Sequence, residues 1–213
     1  MELSNLKLLR KIVPGVYIIG CSYPFLPNLS NVYSHDASPF IVICIGAVIG
    51  FVYDALGWRK LRNRKSHQRI NDNIKDLLIE YGLTRPASAE EVEKLKSSTN
   101  LRSVFYQLVD NDPSLIEKSR NVRDNGLFWT STADVALISC VYTWIYCFSV
   151  WLLSEHYASV GLIIGAIGLI SGCFLHPLAV NKHIALSNEQ IQHIVLTKKK
   201  ELEEKVNGLL NVQ

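Results

Sequence analysis

The chain has 213 residues, 48% hydrophobic and 19% charged, with 22 Lys and Arg, 19 Asp and Glu, and a formal net charge of +3; mean hydropathy is +0.15. A soluble domain of this length interleaves apolar and charged residues at helical or strand spacing; here the two are segregated into blocks, which excludes an ordinary soluble core. The five cysteines, Cys21, Cys44, Cys140, Cys147 and Cys173, all lie in apolar stretches without a CxxC, which excludes a disulfide framework or zinc site and leaves them as small packing residues.

Charged side chains are absent from Ile12 to His35, Ala37 to Tyr53, Val135 to Ser154 and Tyr157 to Asn181. A helix crossing the bilayer core needs about 20 mostly apolar residues. The pattern predicts an all-α polytopic membrane protein with four transmembrane helices in two hairpins, a helical cytoplasmic insertion and a C-terminal helix. Every Lys and Arg falls in one of three blocks, Lys7–Lys11, Arg59–Arg123 and Lys182–Lys205. The short polar gaps, Asn31–Ser38 and Ser154–Tyr157, carry only Asp36 and Glu155 as charges. Positive residues concentrate on the cytoplasmic side of a membrane. The expected layout in a bacterial inner membrane is therefore a cytoplasmic N-terminus at 1–11 and a first hairpin at 12–58. A helical cytoplasmic region at 59–131, a second hairpin at 132–180 and a cytoplasmic C-terminal helix at 181–213 follow.

Pro14, Pro24, Pro27, Asn28 and Asn31 interrupt the first span, and a kink or break is expected near Tyr23–Pro27. It reads as spanning rather than re-entrant, because an odd number of crossings would split the basic blocks. It does not read as a signal peptide, since no small-x-small cleavage site follows.

In the second span, Gly46 and Gly50 share a helix face that Asp54 and Gly57 continue. Asp54, near the span's end and close to Arg59, Lys60 and Arg62, reads as an interfacial ion pair or cap; a deeper functional carboxylate is the sharper alternative. The basic run Arg59, Lys60, Arg62, Arg64 and Lys65 reads as topogenic or as a lipid-headgroup contact. The topogenic role already explains it, so direct nucleic-acid binding is not expected.

In the middle region, Ile70, Ile74, Leu77, Leu78 and Tyr81 form a helical stripe closed by Gly82 at C′. Ser88 to Glu91 has capping-box form. Leu101–Val109 is a short helix or strand. Asp112-Pro113 reads as N-cap and N1 of a helix ending near Gly126. Ser131 to Asp134 is a further capping-box candidate, with Asp134 at the mouth of the third span, where a carboxylate suits the helix dipole.

The third span carries Tyr142, Trp144, Tyr146, Phe148 and Trp151. Trp151 fits an outer aromatic belt, and the others pack or face lipid. In the fourth span, Gly161, Gly165, Gly168 and Gly172 lie on one face as two GxxxG units. Small residues let membrane helices approach closely, so this face belongs in an interface, within the chain or between copies. His176, His183 and His193 have no ligand spacing, and no metal is expected. In the tail, Ser187 to Gln190 reads as a helix start, with Ile191, Ile194, Val195, Leu202, Val206 and Leu209 along one side. Lys198, Lys199 and Lys200 interrupt that side as a solvated or lipid-facing run. Walker A, GxGxxG, HExxH, GxSxG and paired-carboxylate signatures are all absent, so neither an enzyme nor a cofactor is expected.

Phe105-Tyr-Gln-Leu-Val-Asp-Asn-Asp-Pro-Ser-Leu115 and Asn125-Gly-Leu-Phe-Trp-Thr-Ser-Thr-Ala-Asp134 look like segments of a group of small bacterial membrane proteins. Across the whole chain, the layout of four spans with a helical cytoplasmic region resembles the membrane subunit of the Kiwa anti-phage defence system. The resemblance implies a phage-attack sensor that forms an oligomer and works with a soluble, DNA-binding partner; it implies no catalytic residue. The expectation is a non-enzymatic sensor or scaffold that is surrounded by membrane lipids, forms a homo-oligomer and holds a cytoplasmic protein through Arg59–Ser131 and the tail. The alternative is a pore-forming effector or small channel, motivated by the glycine faces and Asp54. A membrane enzyme would need a polar cluster at membrane depth.

Overall fold

The computed structural model describes residues 3–25, 39–152 and 156–211. Every regular element among them is helical. In order these are α1 (Leu3–Ser22) with a 3-10 turn at Tyr23–Phe25, α2 (Pro39–Ala55), α3 (Trp58–Gly82), α4 (Ala89–Ser97) and α5 (Asn100–Asp110). Then come α6 (Pro113–Leu152), α7 (His156–Ile170), a π-helical turn at Ser171–Leu175 and α8 (His176–Asn211). The gap Asn31–Ser38, Pro27 and Asn28, and Ser154 with Glu155 lie outside the described residues.

Two helical stretches, Pro113–Trp151 and Tyr157–Leu210, are long and apolar enough to cross a membrane. Phe40–Ala55 and Trp58–Gly82 reach that standard only as a pair, bent by 64°. The bend is made by Gly57, whose φ of 74° lies in the left-handed region that glycine enters without steric cost. α1, 20 residues long, carries Lys7, Arg10 and Lys11, runs through Pro14, and is not among the helices long and apolar enough to cross.

Residues 1–64 and 126–179 form one compact unit; residues 65–125 and 180–213 form another. α3, α6 and α8 each run from one unit into the other without leaving the helix.

The second unit is a conventional helical core. Ile70, Ile74 and Leu78 of α3 are buried, as are Leu95 of α4, Leu101 and Leu108 of α5, Leu115 of α6, and Ile191, Ile194, Leu202 and Val206 of α8. Each such side chain contributes about 1.5–3 kcal/mol by leaving water. Leu101–Val109 is resolved as helix: Leu101, Val104, Phe105 and Leu108 recur at helical spacing and bury one face of α5. The Ser88 capping box is present, with the Glu91 N–H donating to Ser88 Oγ at 3.2 Å and the Ser88 N–H to Glu91 Oε2 at 2.8 Å.

Several local signals are overridden. Asp112 does cap α6, accepting from the Ser114 N–H at 3.0 Å, but α6 does not end near Gly126. It continues for 40 residues to Leu152, and Ser131 to Asp134 lies in its interior rather than at a cap. One glycine inside a helix costs about 1 kcal/mol. Ending the helix there would strand several backbone groups at a membrane mouth. Ser187 likewise starts no helix: its Oγ donates to the His183 carbonyl at 2.9 Å, inside α8. Gly82 is not a left-handed C′ residue. It is the last residue of α3, where a Cβ would meet Val206 Cγ2 at 2.6 Å, and its carbonyl accepts from Asn207 Nδ2 at 3.0 Å. Lys198 is not simply solvated: with φ −134° it forms the kink in α8. Its Nζ caps the Leu108 and Asn111 carbonyls at 3.3 and 3.2 Å, while Lys199 and Lys200 stay exposed.

Candidate functional site

The first unit places polar groups where the sequence is otherwise apolar. The last turn of α2 carries Tyr53 and Asp54. The Gly57 bend turns the chain so that Arg59, in the first turn of α3, points back across the unit. Asp134 of α6 receives it. Arg59 Nε and Nη2 donate to Asp134 Oδ2 at 2.9 and 2.6 Å, and the Tyr53 hydroxyl donates to Oδ1 at 3.0 Å. Both carboxylate oxygens are therefore satisfied, as a charge with 0% exposure requires. Arg59 Nη2 also donates to the Arg10 carbonyl of α1, and Nη1 lies 3.7 Å from Asp54 Oδ1. One guanidinium thus bridges α1, α2 and α6 from α3. Arg59 is part of this clasp rather than of the solvated basic run; Lys60, Arg62, Arg64 and Lys65 are exposed.

Beyond Asp134 along α6, hydroxyl pairs join α6 to α1. Tyr17 Oη meets Ser139 Oγ at 2.6 Å, Ser22 Oγ meets Tyr142 Oη, and the Tyr146 hydroxyl donates to the Cys21 carbonyl at 2.6 Å. Phe25 stacks on Tyr146 and Tyr157 at centroid distances of 4.5 and 5.1 Å. Such bonds between membrane helices average about 0.6 kcal/mol each, so the series holds the charge-bearing α1 against α6. Tyr142 and Tyr146 belong to this ladder. Trp144, Phe148 and Trp151 are exposed on the surface of the unit.

The glycine faces complete the packing. A Cβ at Gly15 or Gly46 would strike the backbone or Val16 across the α1–α2 contact, and one at Gly50 would strike the Lys11 carbonyl. On α7, Gly161 packs on Tyr146, Gly165 on Thr143 and Gly168 on Ser139; Gly172, in the π turn, packs on Ala136. Both faces are used within the chain. The π turn sits just before Pro177, which lacks an N–H; the His176 N–H bonds to Ser171 five residues back. His176 Nδ1 lies 3.0 Å from the Trp129 carbonyl, and Ser171 Oγ donates to the Thr132 carbonyl at 3.0 Å.

In the second unit, Ser114, His193 and Asp112 meet, but not as a nucleophilic triad. Ser114 Oγ donates to Asp112 Oδ1 at 2.7 Å and faces His193 Nε2 at 2.9 Å. Asp112 lies 3.8 Å from that same Nε2, on the serine's side of the ring. A triad instead sets the carboxylate behind Nδ1, where it orients the base. The Ser114 hydrogen bond holds the Asp112 carboxyl below its ordinary range. The group caps α6 and ties it to α8. Among the described residues, no three His, Cys, Asp or Glu converge to hold a metal ion.

Asp54 and Asp134 were legible as candidate polar sites, but not that Arg59 joins them. Tyr53, Tyr17, Ser22, Ser139 and Gly15 were missed. The usable signal was the helical spacing of Asp134, Tyr142 and Tyr146 along one side of the third span, with Ser139 close to it. No protein-family model, curated protein or solved structure matches the chain.

Proposed function

We propose that the chain is a non-enzymatic sensor or scaffold of a bacterial inner membrane, with four spans in two hairpins and both termini in the cytoplasm. It holds a soluble cytoplasmic partner through its second unit. The observation that carries this reading is the passage of α3, α6 and α8 unbroken between the units. A partner held by the second unit is thereby joined, through the same helices, to the apolar stretches of the first. Arg59 stands at the start of α3, two residues past the bend, and links it to α1, α2 and α6. The one-sided basic blocks support the orientation.

The likeness in layout to the Kiwa membrane subunit suggests the biological setting: recognition of phage attack, relayed to a DNA-binding partner. The pore-forming alternative keeps Asp54 as its motive, while the glycine faces that also suggested it are filled by the chain's own α1 and α6. Self-association would use another surface.

Purification from mild detergent, with the neighbouring genes expressed in their native order, tests the proposal. The expected result is a stable complex with a soluble, neighbour-encoded protein. A chain that emerges alone, without changing the behaviour of any neighbour's product, sinks it.

A further inference from the structure

The first unit has more positive charge than its own acids can answer. Its described carboxylates, Asp54 and Asp134, both face Arg59. Lys7, Arg10, Lys11, Lys60, Arg62 and Arg64 make no ion pair among the described residues. Four of these are exposed and keep water as a partner; Arg10 and Lys11 are half-buried. Arg10 Nε is shielded from solvent and finds no acceptor among the described residues. Lys11 Nζ rests 4.1 Å over the Phe51 ring, a cation–π contact where a carboxylate would otherwise serve.

Their depth follows from the helix packing. The Lys11 carbonyl is the atom against which Gly50 packs, and the Arg10 carbonyl accepts from Arg59. Lys11 therefore stands level with Gly50 and Arg10 level with Arg59, on either side of Tyr53, where the uncharged run ends. That is the level of lipid headgroups. Beside them, α2 exposes Val48, Phe51 and Val52, an apolar flank suited to acyl chains.

We infer that Arg10 and Lys11 bind the phosphate of an anionic phospholipid, with its chains along the exposed flank of α2. The phosphate supplies the negative charge that both residues lack. This site differs from the exposed basic run after α2; it rests on the proposed crossing of the first hairpin and not on the sensor role.

The full chain is purified in mild detergent, and its thermal unfolding is followed with phosphatidylglycerol, phosphatidylcholine or inorganic phosphate added. Bound lipid is counted by native mass spectrometry. Phosphatidylglycerol is expected to raise Tm by several degrees and to remain bound, with little effect from the other two. The Arg10→Gln, Lys11→Gln double variant loses that shift, while Lys199→Gln, Lys200→Gln in the exposed tail retains it. An equal shift from phosphatidylcholine or from inorganic phosphate overturns the assignment, as does a full shift in the double variant. Should that variant fail to fold, Lys11→Gln alone removes one of the two charges. Reduced lipid retention then supports the site, and unchanged retention overturns it.

Discussion

Asp134 of α6 and Arg59 of α3, separated by 75 residues in sequence, meet through one carboxylate oxygen, which accepts from Nε and Nη2 of the guanidinium at 2.9 and 2.6 Å. The Tyr53 hydroxyl holds the other oxygen. A buried pair of this kind adds little net stability over an apolar replacement, but removing one partner leaves an uncompensated charge.

Asp134→Leu and Arg59→Met are each expected to destabilise the protein by about 3–5 kcal/mol. The double variant Asp134→Leu, Arg59→Met is expected to recover much of that loss. Thermal unfolding in detergent measures all three. A double variant as unstable as the sum of the single ones would show that the two residues act independently.

Glycine substitutions separate packing from helix propensity. Gly168→Ala meets Ser139 and Gly50→Ala meets the Lys11 carbonyl; overpacking of this kind costs about 1–3 kcal/mol. Gly20→Ala meets nothing within 4 Å and is expected to be neutral or to stabilise by about 0.5–1 kcal/mol. Comparing Tm across the three decides the matter, and a loss at Gly20 equal to that at Gly168 would refute the assigned contacts.

Glu91 gives the second unit an acid-sensitive cap. The Arg85 guanidinium, first, and the Ser88 N–H, second, lower its pKa from 4.5 to about 2. A folded pKa below the unfolded one means stabilisation that is present above the unfolded value and lost as pH falls through the folded one. α4 is therefore expected to loosen as pH drops from about 4.5 towards 2. Amide exchange of α4 across that range reads the effect. In Glu91→Gln the protection is lower at neutral pH and flat across the same interval.

The proposed orientation is testable with reporter fusions. Fusions at Asp36 and Glu155 are expected to report the periplasm, and fusions at Ser97 and Gln213 the cytoplasm. A cytoplasmic signal at Asp36 with a periplasmic one at Glu155 would show that the first hairpin does not cross.

The helical class and the membrane-length apolar stretches were legible because hydropathy and charge accumulate along the chain without reference to distant residues. The spacing of Gly161, Gly165, Gly168 and Gly172 also announced a packing face, since helix periodicity alone puts them on one side. Which surface that face meets was not legible: spacing reports a close approach and not its partner, and only the tertiary structure paired it with Ala136, Ser139, Thr143 and Tyr146. Helix ends failed for the opposite reason. The signals at Gly126, Ser131 and Ser187 are each worth about 1 kcal/mol, and burial on both sides of them outweighs that. Asp134 shows the same division. Sequence alone marked it as an acid at the edge of a span; only the fold, by bending at Gly57 and returning Arg59, gave that acid its counterion.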